Sequence, residues 1–176
     1  MADGTLKVGT ITNSAGSGNI TIGSGVTLLS NVPAFEAYLS SNQTISNASN
    51  TKLEIDTEIL DTDNCYDNST NYRFTPTVAG KYYVYAAVGI INATNELQKA
   101  RAIFFKNGAE YRRTDNDGGS SGTEETMNEF VSAIIDFNGS TDYVEFYTLI
   151  FQDSGTTNAV GASYKPTYFG AYRIGA

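Results

Sequence analysis

Residues 81–91 read KYYVYAAVGII, and this stretch decides the fold class. Tyr, Val and Ile favour β-strands, and no charged residue or Pro follows Lys81, so the stretch predicts one long strand. Successive side chains of a strand point to opposite faces of its sheet. A strand that is apolar on both faces has to be covered on both sides. The predicted inward set is Tyr82, Val84, Ala86 and Val88, and the opposite face carries Tyr83, Tyr85 and Ala87.

Strand-like segments recur on both sides of this stretch, separated by polar turns. The dipeptide Asn107-Gly108 between two of them is a strong hairpin signal. The segment Lys52–Leu60 alternates, with Leu53, Ile55 and Ile59 expected on one face. We therefore expect an all-β sandwich or jelly roll. Its other predicted strands are Pro33–Leu39, Tyr72–Thr75, Ala100–Lys106, Glu110–Arg113, Met127–Phe137, Asp142–Gln152 and Thr167–Ile174, and residues 40–51 are expected to be a polar loop.

The composition excludes several functional classes. The chain has 176 residues with 19 Asp and Glu against 11 Lys and Arg, a net charge of −8. That charge argues against nucleic-acid binding, which needs clustered cations. The single Cys and the lack of His exclude an internal disulfide, a multi-Cys zinc site and His-dependent nucleophilic catalysis. No segment approaches the ~20 apolar residues of a membrane helix, so we expect no membrane insertion.

The first 31 residues differ from the rest, because short apolar bursts alternate there with Gly and Ser. Strands this short cannot bury their apolar side chains alone. We expect residues 1–31 to be a β-rich stem that lies on copies of itself or on a partner, before a domain at residues 32–176. A flexible Gly/Ser-rich tail is the alternative. The predicted anchor positions are Leu6, Val8, Ile20, Ile22, Val26 and Leu28.

Several motifs in the chain resemble the signature of C1q-like domains. They are Tyr66-Asp67, Phe74-Thr75-Pro76 with Gly80 and Tyr82, the run 102–108 reading AIFFKNG, Asp142-Tyr143-Val144, and Tyr168 to Tyr172. The resemblance covers about Pro33 to Ala176, and it implies a C1q/TNF-like ten-strand jelly roll that forms trimers. Three strands carry a second apolar face, which independently predicts an oligomer; the alternative is scattered surface aromatics. The expected trimer-interface residues are Tyr83, Tyr85, Tyr147, Leu149, Phe169 and Arg173.

The opening residues 1–28 are similar to the starts of structural proteins of tailed bacteriophages. This similarity implies a virion surface protein that is anchored by its N-terminal segment to tail, baseplate or capsid proteins. Residues 1–30 lack the pattern of a signal peptide, so we expect synthesis in the cytoplasm of a host bacterium. The expected role is a tail fibre or fibre tip whose head binds a host glycan or receptor. Alternatives are a capsid decoration, cement or head-fibre protein, and with less support a non-viral C1q-like adhesion module or a glycan depolymerase.

Two acidic groups raise the question of a metal site or an enzyme. Asp61, Asp63 and Asp67 suggest an irregular calcium site, but Asx-type turns explain the same residues better. Glu124, Glu125 and Glu129 could form an acid–base pair in a glycosidase, although carboxylates in such a loop are usually solvated. Cys65 has no His to activate it and is expected to be an ordinary thiol. We therefore expect no catalysis, no metal and no cofactor.

Asparagines concentrate in three polar loops, at residues 42–50, 92–95 and 138–142. We expect these loops to gather at one end of the jelly roll. Their amides suit recognition of a surface glycan by hydrogen bonding. The residues expected to take part are Asn42, Asn47, Asn92, Asn95 and Asn138.

Overall fold

The computed structural model describes Ser24, residues 32–119 and residues 124–175. The chain divides into two units, Met1–Asn31 and Val32–Ala176, and the fold below is that of the second unit. The anchor expected in residues 1–31 stays a prediction. Its positions Leu6, Val8, Ile20, Ile22, Val26 and Leu28 lie outside the described residues.

The described part of the second unit contains strands and turns but no helix, which confirms the all-β prediction. Consequently no helix in that part is long and apolar enough to cross a membrane. The thirteen strands are β1 Ala34–Tyr38, β2 Gln43–Ile45, β3 Thr51–Lys52, β4 Thr57–Asp61, β5 Tyr66–Asp67, β6 Arg73–Phe74, β7 Gly80–Asn92, β8 Leu97–Lys106, β9 Ala109–Asp117, β10 Thr126–Phe137, β11 Val144–Gln152, β12 Thr157–Ala159 and β13 Tyr168–Gly175.

The strands form two antiparallel sheets that pack face to face. In the seven-stranded sheet, β7 pairs on one edge with β10 and on the other with β12 and β13, and β1 and β4 follow β13. The six-stranded sheet has the order β5-β6-β11-β8-β9, with β3 also paired to β11. The long strand predicted at 81–91 is therefore the centre of the seven-stranded sheet.

The core lies between the sheets and is rich in aromatic side chains. Tyr82, Val84, Ala86 and Val88 are all fully buried, as their alternation predicted. Phe35 stacks on Phe74 at 4.6 Å between ring centroids and meets Phe169 edge-on at 5.0 Å. Aromatic pairs of this geometry add to the stabilisation that comes from apolar burial.

One segment departs from the predicted strands. Residues 52–60 do not form a single strand, because the chain leaves the six-stranded sheet after β3 and enters the seven-stranded sheet at β4. Leu53 and Ile55 are buried in the crossing, whereas Ile59 is exposed on the edge strand β4. The loop predicted at 40–51 contains β2, and β12 lies in a stretch where we expected no strand.

The hairpin signal was right. Asn107 and Gly108 join β8 to β9, with φ angles of 52° and 79°. Positive φ at both central residues is the type I′ turn, whose twist matches that of the flanking strands.

The pairing register defines the two ends of the domain. β7 runs from Gly80, opposite Phe137, to Ile91, opposite Thr126. Val32 begins the domain at the Gly80 end, since Ala34 pairs with Tyr172 and Tyr172 with Tyr83. We call the opposite end, with the loops around Asn92 and before β13, the distal end.

Candidate functional site

The outer face of the seven-stranded sheet carries a group of aromatic and aliphatic side chains that we call the tyrosine face. The register places its residues in three cross-strand rows. Their strands β1, β13, β7 and β10 are adjacent, so the rows are continuous. The rows are Tyr38, Tyr168, Ala87 and Phe130; then Glu36, Gly170, Tyr85 and Ser132; then Ala34, Tyr172, Tyr83 and Ile134.

The tyrosine rings contact one another along and across the strands. The Tyr83 and Tyr85 rings stack at 5.8 Å between centroids. Tyr172 lies 5.6 Å from Tyr83, and Tyr168 lies 6.2 Å from Tyr85. These contacts order the rings on the sheet surface before any partner binds.

Gly170 explains how the Tyr85 ring fits. A Cβ at position 170 would come within 2.5 Å of Tyr85 Cζ, so the ring occupies the space that a side chain would fill. The Tyr85 hydroxyl donates a hydrogen bond to Glu36 Oε2 at 2.6 Å. Burial, and then this bond, raise the pKa of Tyr85. Glu36 is the one charged side chain in the three rows.

Much of the tyrosine face is exposed in the single chain. The exposed fractions are 57% for Ile134, 48% for Phe130 and 45% for Tyr172. A large contiguous apolar patch is uncommon on a monomer and usually marks an interaction site. The face therefore has the character of a protein–protein contact surface.

The outer face of the six-stranded sheet is different. Apolar side chains there pack against neighbours of the same chain, as where the Phe105 and Tyr147 rings lie 4.4 Å apart, and Phe151 at the end of β11 is 37% exposed. The same sheet carries ion pairs: Lys52 to Glu145 at 2.8 Å, Lys99 to Asp117 at 2.8 Å, Arg113 to Asp115 at 3.1 Å, and Arg101 to Asp115.

These two faces correct part of the predicted trimer interface. Tyr83 and Tyr85 lie together on the tyrosine face, but Tyr147 and Leu149 lie on the other sheet. Phe169 is fully buried in the core, so the prediction that it faces a neighbouring copy is wrong. Arg173 shares the inward parity of Phe169, and its Nε donates to the Ala79 carbonyl at 3.1 Å. Alternation along one strand shows two faces, but it does not show which sheet the strand joins.

The asparagine loops do not gather at one end. Asn42, Asn47 and Asn95 belong to loops of the distal end and Asn92 ends β7 there, whereas Asn138 follows β10 at the opposite end. The prediction was wrong because the direction of the flanking strands decides at which end of the domain a loop lies, and the composition of a loop does not show that direction. Most of these amides hold loops together. The Asn138 Oδ1 accepts from the Thr141 and Ser140 amides at 2.9 Å, and the Asn47 Nδ2 donates to the Gln152 carbonyl at 3.0 Å.

Asn92 is fully buried, so it is not a surface recognition residue. Its Nδ2 donates to Thr157 Oγ1 at 2.8 Å and to the Ser154 carbonyl at 3.1 Å. Its Oδ1 accepts from the backbone amides of Thr94 at 2.9 Å and Glu96 at 3.0 Å. Asn92 thus links two distal loops, and its buried amide has the hydrogen-bond partners that a buried polar group requires.

The aspartates weighed as a calcium site form polar turns. Asp61 Oδ2 accepts from the Tyr66 amide at 2.8 Å, and Asp67 Oδ1 accepts from the Thr70 amide at 2.8 Å. The Thr70 amide and further hydrogen bonds lower the pKa of Asp67 to about 2. Within residues 32–119 and 124–175, no three acidic or thiol groups cluster as metal ligands.

The thiol and the three glutamates weighed as catalytic groups differ in burial. Burial and the neighbouring Asp61 raise the pKa of Cys65 to about 12, which disfavours the reactive thiolate. Glu129 is buried and hydrogen-bonded by Asn116 and Thr114, and burial raises its pKa. Glu124 and Glu125 are exposed.

The tyrosine face also contains residues that were not among the predicted interface residues. The alternation of Phe130 and Ile134 along β10 is visible in the sequence, but only the pairing with β7 shows that they extend the tyrosine face. Glu36 and Gly170 carry no sequence signal for their roles, because those roles depend on the position of the Tyr85 ring.

Comparison with solved structures identifies the architecture. Eiger TNF from S. frugiperda superposes with a TM-score of 0.61 and 9% identity, covering 82% of this chain and 94% of that one. Murine APRIL at pH 5.0 superposes with a TM-score of 0.58 and 7% identity, covering 81% and 99%. The fold is a TNF/C1q-like jelly roll. At these identities the similarity concerns the jelly roll alone, and no family model or curated protein sequence matches the chain.

Proposed function

We propose that this chain forms a homotrimer on the surface of a bacteriophage virion and attaches to the host cell as a tail fibre or fibre tip. The tyrosine face is the observation that carries the trimer. It is continuous, exposed and contains one charged residue, Glu36, in three rows of the sheet. Proteins with TNF-like folds are typically homotrimers, which supports the same stoichiometry here.

Attachment by three identical heads suits a recognition role. Weak single contacts multiply when three sites engage one surface. The distal end is the side for such contacts, because the domain begins at the opposite end with Val32. The virion location rests on the similarity of residues 1–28 to the starts of phage structural proteins.

The same proposal assigns binding and not catalysis to the chain. The hydrogen bonds that hold the buried Glu129 support this assignment, whereas Glu124 and Glu125 are exposed. A polysaccharide-cleavage assay with the full chain is expected to give no products. Cleavage that is lost in Glu129→Gln would contradict this part.

Two measurements test the stoichiometry and the location. Sedimentation equilibrium of the full chain at micromolar concentration should give three times the 18.9 kDa mass of one chain. A monomer would contradict the trimer.

Gold-labelled antibodies against the full chain should mark the tail tip of intact particles in electron micrographs. Label over the capsid would replace the fibre role by a decoration role, and particles without label would contradict a virion location.

A further inference from the structure

We propose that a cavity at the distal end of the domain binds one neutral sugar ring. The cavity has a volume of about 330 Å³ and opens on the outer side of the seven-stranded sheet. Its lining includes the side chains of Ile91, Thr126, Asn128, Val160, Tyr164 and Pro166. The inference deepens the proposed function, on which it rests for the role of the distal end, by naming the ligand class and the site.

The cavity lies beyond the tyrosine face. Its position on β7 is marked by Gly89, which pairs with Asn128 and is four residues past Tyr85. At 3.3 Å per residue this is about 13 Å farther along the strand. A Cβ at position 89 would lie 3.1 Å from Pro166 Cβ and 3.3 Å from Asn128 Oδ1, so Gly89 keeps the space open.

Hydrogen bonds fix the cavity wall to the sheet. The Val160 amide donates to the Gly89 carbonyl at 2.7 Å. The buried Thr167 hydroxyl accepts from the Gly89 amide at 3.2 Å and donates to the Val160 carbonyl at 2.8 Å. The loop between β12 and β13, which carries Tyr164, is therefore held in place before a ligand arrives, as a binding site requires.

The lining combines an exposed ring with free polar groups. The Tyr164 side chain is the most exposed of the large apolar residues described, at 76%. In the described part of the chain, the Asn128 amide and the Thr126 hydroxyl have no hydrogen-bond partner. A sugar presents a C–H face that stacks on an aromatic ring and hydroxyl groups that bond to amides and hydroxyls. Apolar walls with a few placed polar groups are typical of small-molecule sites.

Charge selects the ligand class. None of the described residues that line this cavity is charged, whereas Lys99 and Asp117 line a second cavity and Asp67 and Arg73 a third. A phosphate or carboxylate would lose water here without gaining a counter-charge. A purely apolar ligand would leave the Asn128 amide and the Thr126 hydroxyl unpaired. A neutral sugar satisfies both conditions.

The test is a ligand-observed NMR titration of the full chain with methyl α-D-mannoside, methyl β-D-glucoside and methyl β-D-galactoside, and with glucuronic acid as the charged probe. At least one neutral methyl glycoside should bind in the millimolar range, and glucuronic acid should bind more weakly. Tyr164→Ala and Asn128→Ala should each weaken binding at least about fivefold, because each removes one stack or hydrogen bond. The Tyr164→Phe variant should retain most of the sugar-binding affinity. The matched control Tyr111→Ala removes an exposed ring outside the cavity and should leave sugar binding unchanged.

The proposal is overturned if no neutral glycoside binds, if glucuronic acid binds equally well, or if binding survives Tyr164→Ala. The sedimentation mass of Tyr164→Ala separates this failure from failure of the trimer. A full-mass assembly that binds no sugar would overturn the cavity proposal alone. A monomer that binds sugar through Tyr164 would overturn the trimer alone.

Discussion

The two outer faces of the sandwich differ in how their apolar side chains are covered. On the six-stranded sheet, Tyr147 packs against Phe105 of the same chain, and it lies opposite Lys52, which pairs with Glu145 at 2.8 Å. On the tyrosine face, Ile134 and Tyr172 stay exposed and a single carboxylate, that of Glu36, lies among the rings. The apolar rings at the centre of one face pack within the chain, and the other face has the composition of an interface core.

The difference shows that alternation along a strand does not reveal what covers its outer face. β7 and β11 both alternate with apolar residues on each face, and both predict a covered outer face. The cover comes from cross-strand neighbours: Arg101 pairs with Leu149 on β11, whereas Ser132 and Gly170 flank Tyr85 on β7. The neighbours of a strand therefore decide whether its second apolar face needs another copy.

The largest expected effect is on assembly. Ile134→Glu places a carboxylate at the most exposed apolar position of the tyrosine face, so an interface there would bury an unpaired charge. We expect trimer affinity to fall at least about 100-fold. Leu149→Glu is the matched control, because it lies opposite Arg101 on the other sheet and should leave the sedimentation mass unchanged. Equal loss in both variants would remove the distinction between the faces.

The next effect separates the two sides of β13. Phe169→Ala should lower the free energy of unfolding by about 3–5 kcal/mol, since it opens a hole among the core rings. Tyr168→Ala, one residue away on the tyrosine face, should cost about 1 kcal/mol of stability but weaken assembly. Urea unfolding together with sedimentation checks both. If Phe169→Ala changed the free energy of unfolding only slightly but impaired assembly, Phe169 would belong to the interface after all.

A smaller effect tests the polar edge of the six-stranded sheet. Asp67 has its pKa lowered to about 2 from the usual 3.8, so its carboxylate stabilises the fold above pH 4 and loses that contribution as the pH falls towards 2. Asp67→Asn turns an amide N–H group towards the Asn71 donors and should cost about 1–2 kcal/mol at pH 7. The variant should also lose less stability than the wild type between pH 4 and pH 2. If the free energies of unfolding of the variant and the wild type fell in parallel between pH 4 and pH 2, Asp67 would not be responsible for the loss of stability in acid.

The smallest effect concerns the ion pairs themselves. Lys99→Met removes the pair with Asp117, which is largely exposed, and should leave the midpoint of urea unfolding almost unchanged. Its sedimentation mass should equal that of the wild type. A large loss of assembly in Lys99→Met would mean that the six-stranded sheet also contacts other copies.

Much of the fold could be predicted from the sequence, because its long strands alternate clearly. The inward set of β7 and the Asn107-Gly108 turn depend on local rules of strand and turn geometry, and both were right. The split of residues 52–60 was not visible, since Leu53 and Ile55 keep a strand-like period while the chain crosses between sheets.

Less of the candidate site could be predicted. Tyr83 and Tyr85 were found by alternation, but Phe169 was assigned to the wrong side, and Asn92 looked like a loop amide although it is a buried link between loops. The cavity at Tyr164 unites β7, β10 and the loop before β13, which are far apart in the sequence. Such a site depends on tertiary pairing, which no local pattern contains.

The most direct test of the central claim is hydroxyl-radical footprinting of the assembled full chain. Tyr172 on the tyrosine face is 45% exposed in a single chain, and Phe151 on the six-stranded sheet is 37% exposed. If the tyrosine face is buried between copies, Tyr172 should be oxidised several times more slowly than Phe151, against the order of their exposure. Oxidation of Tyr172 at a rate equal to or above that of Phe151 would contradict the account.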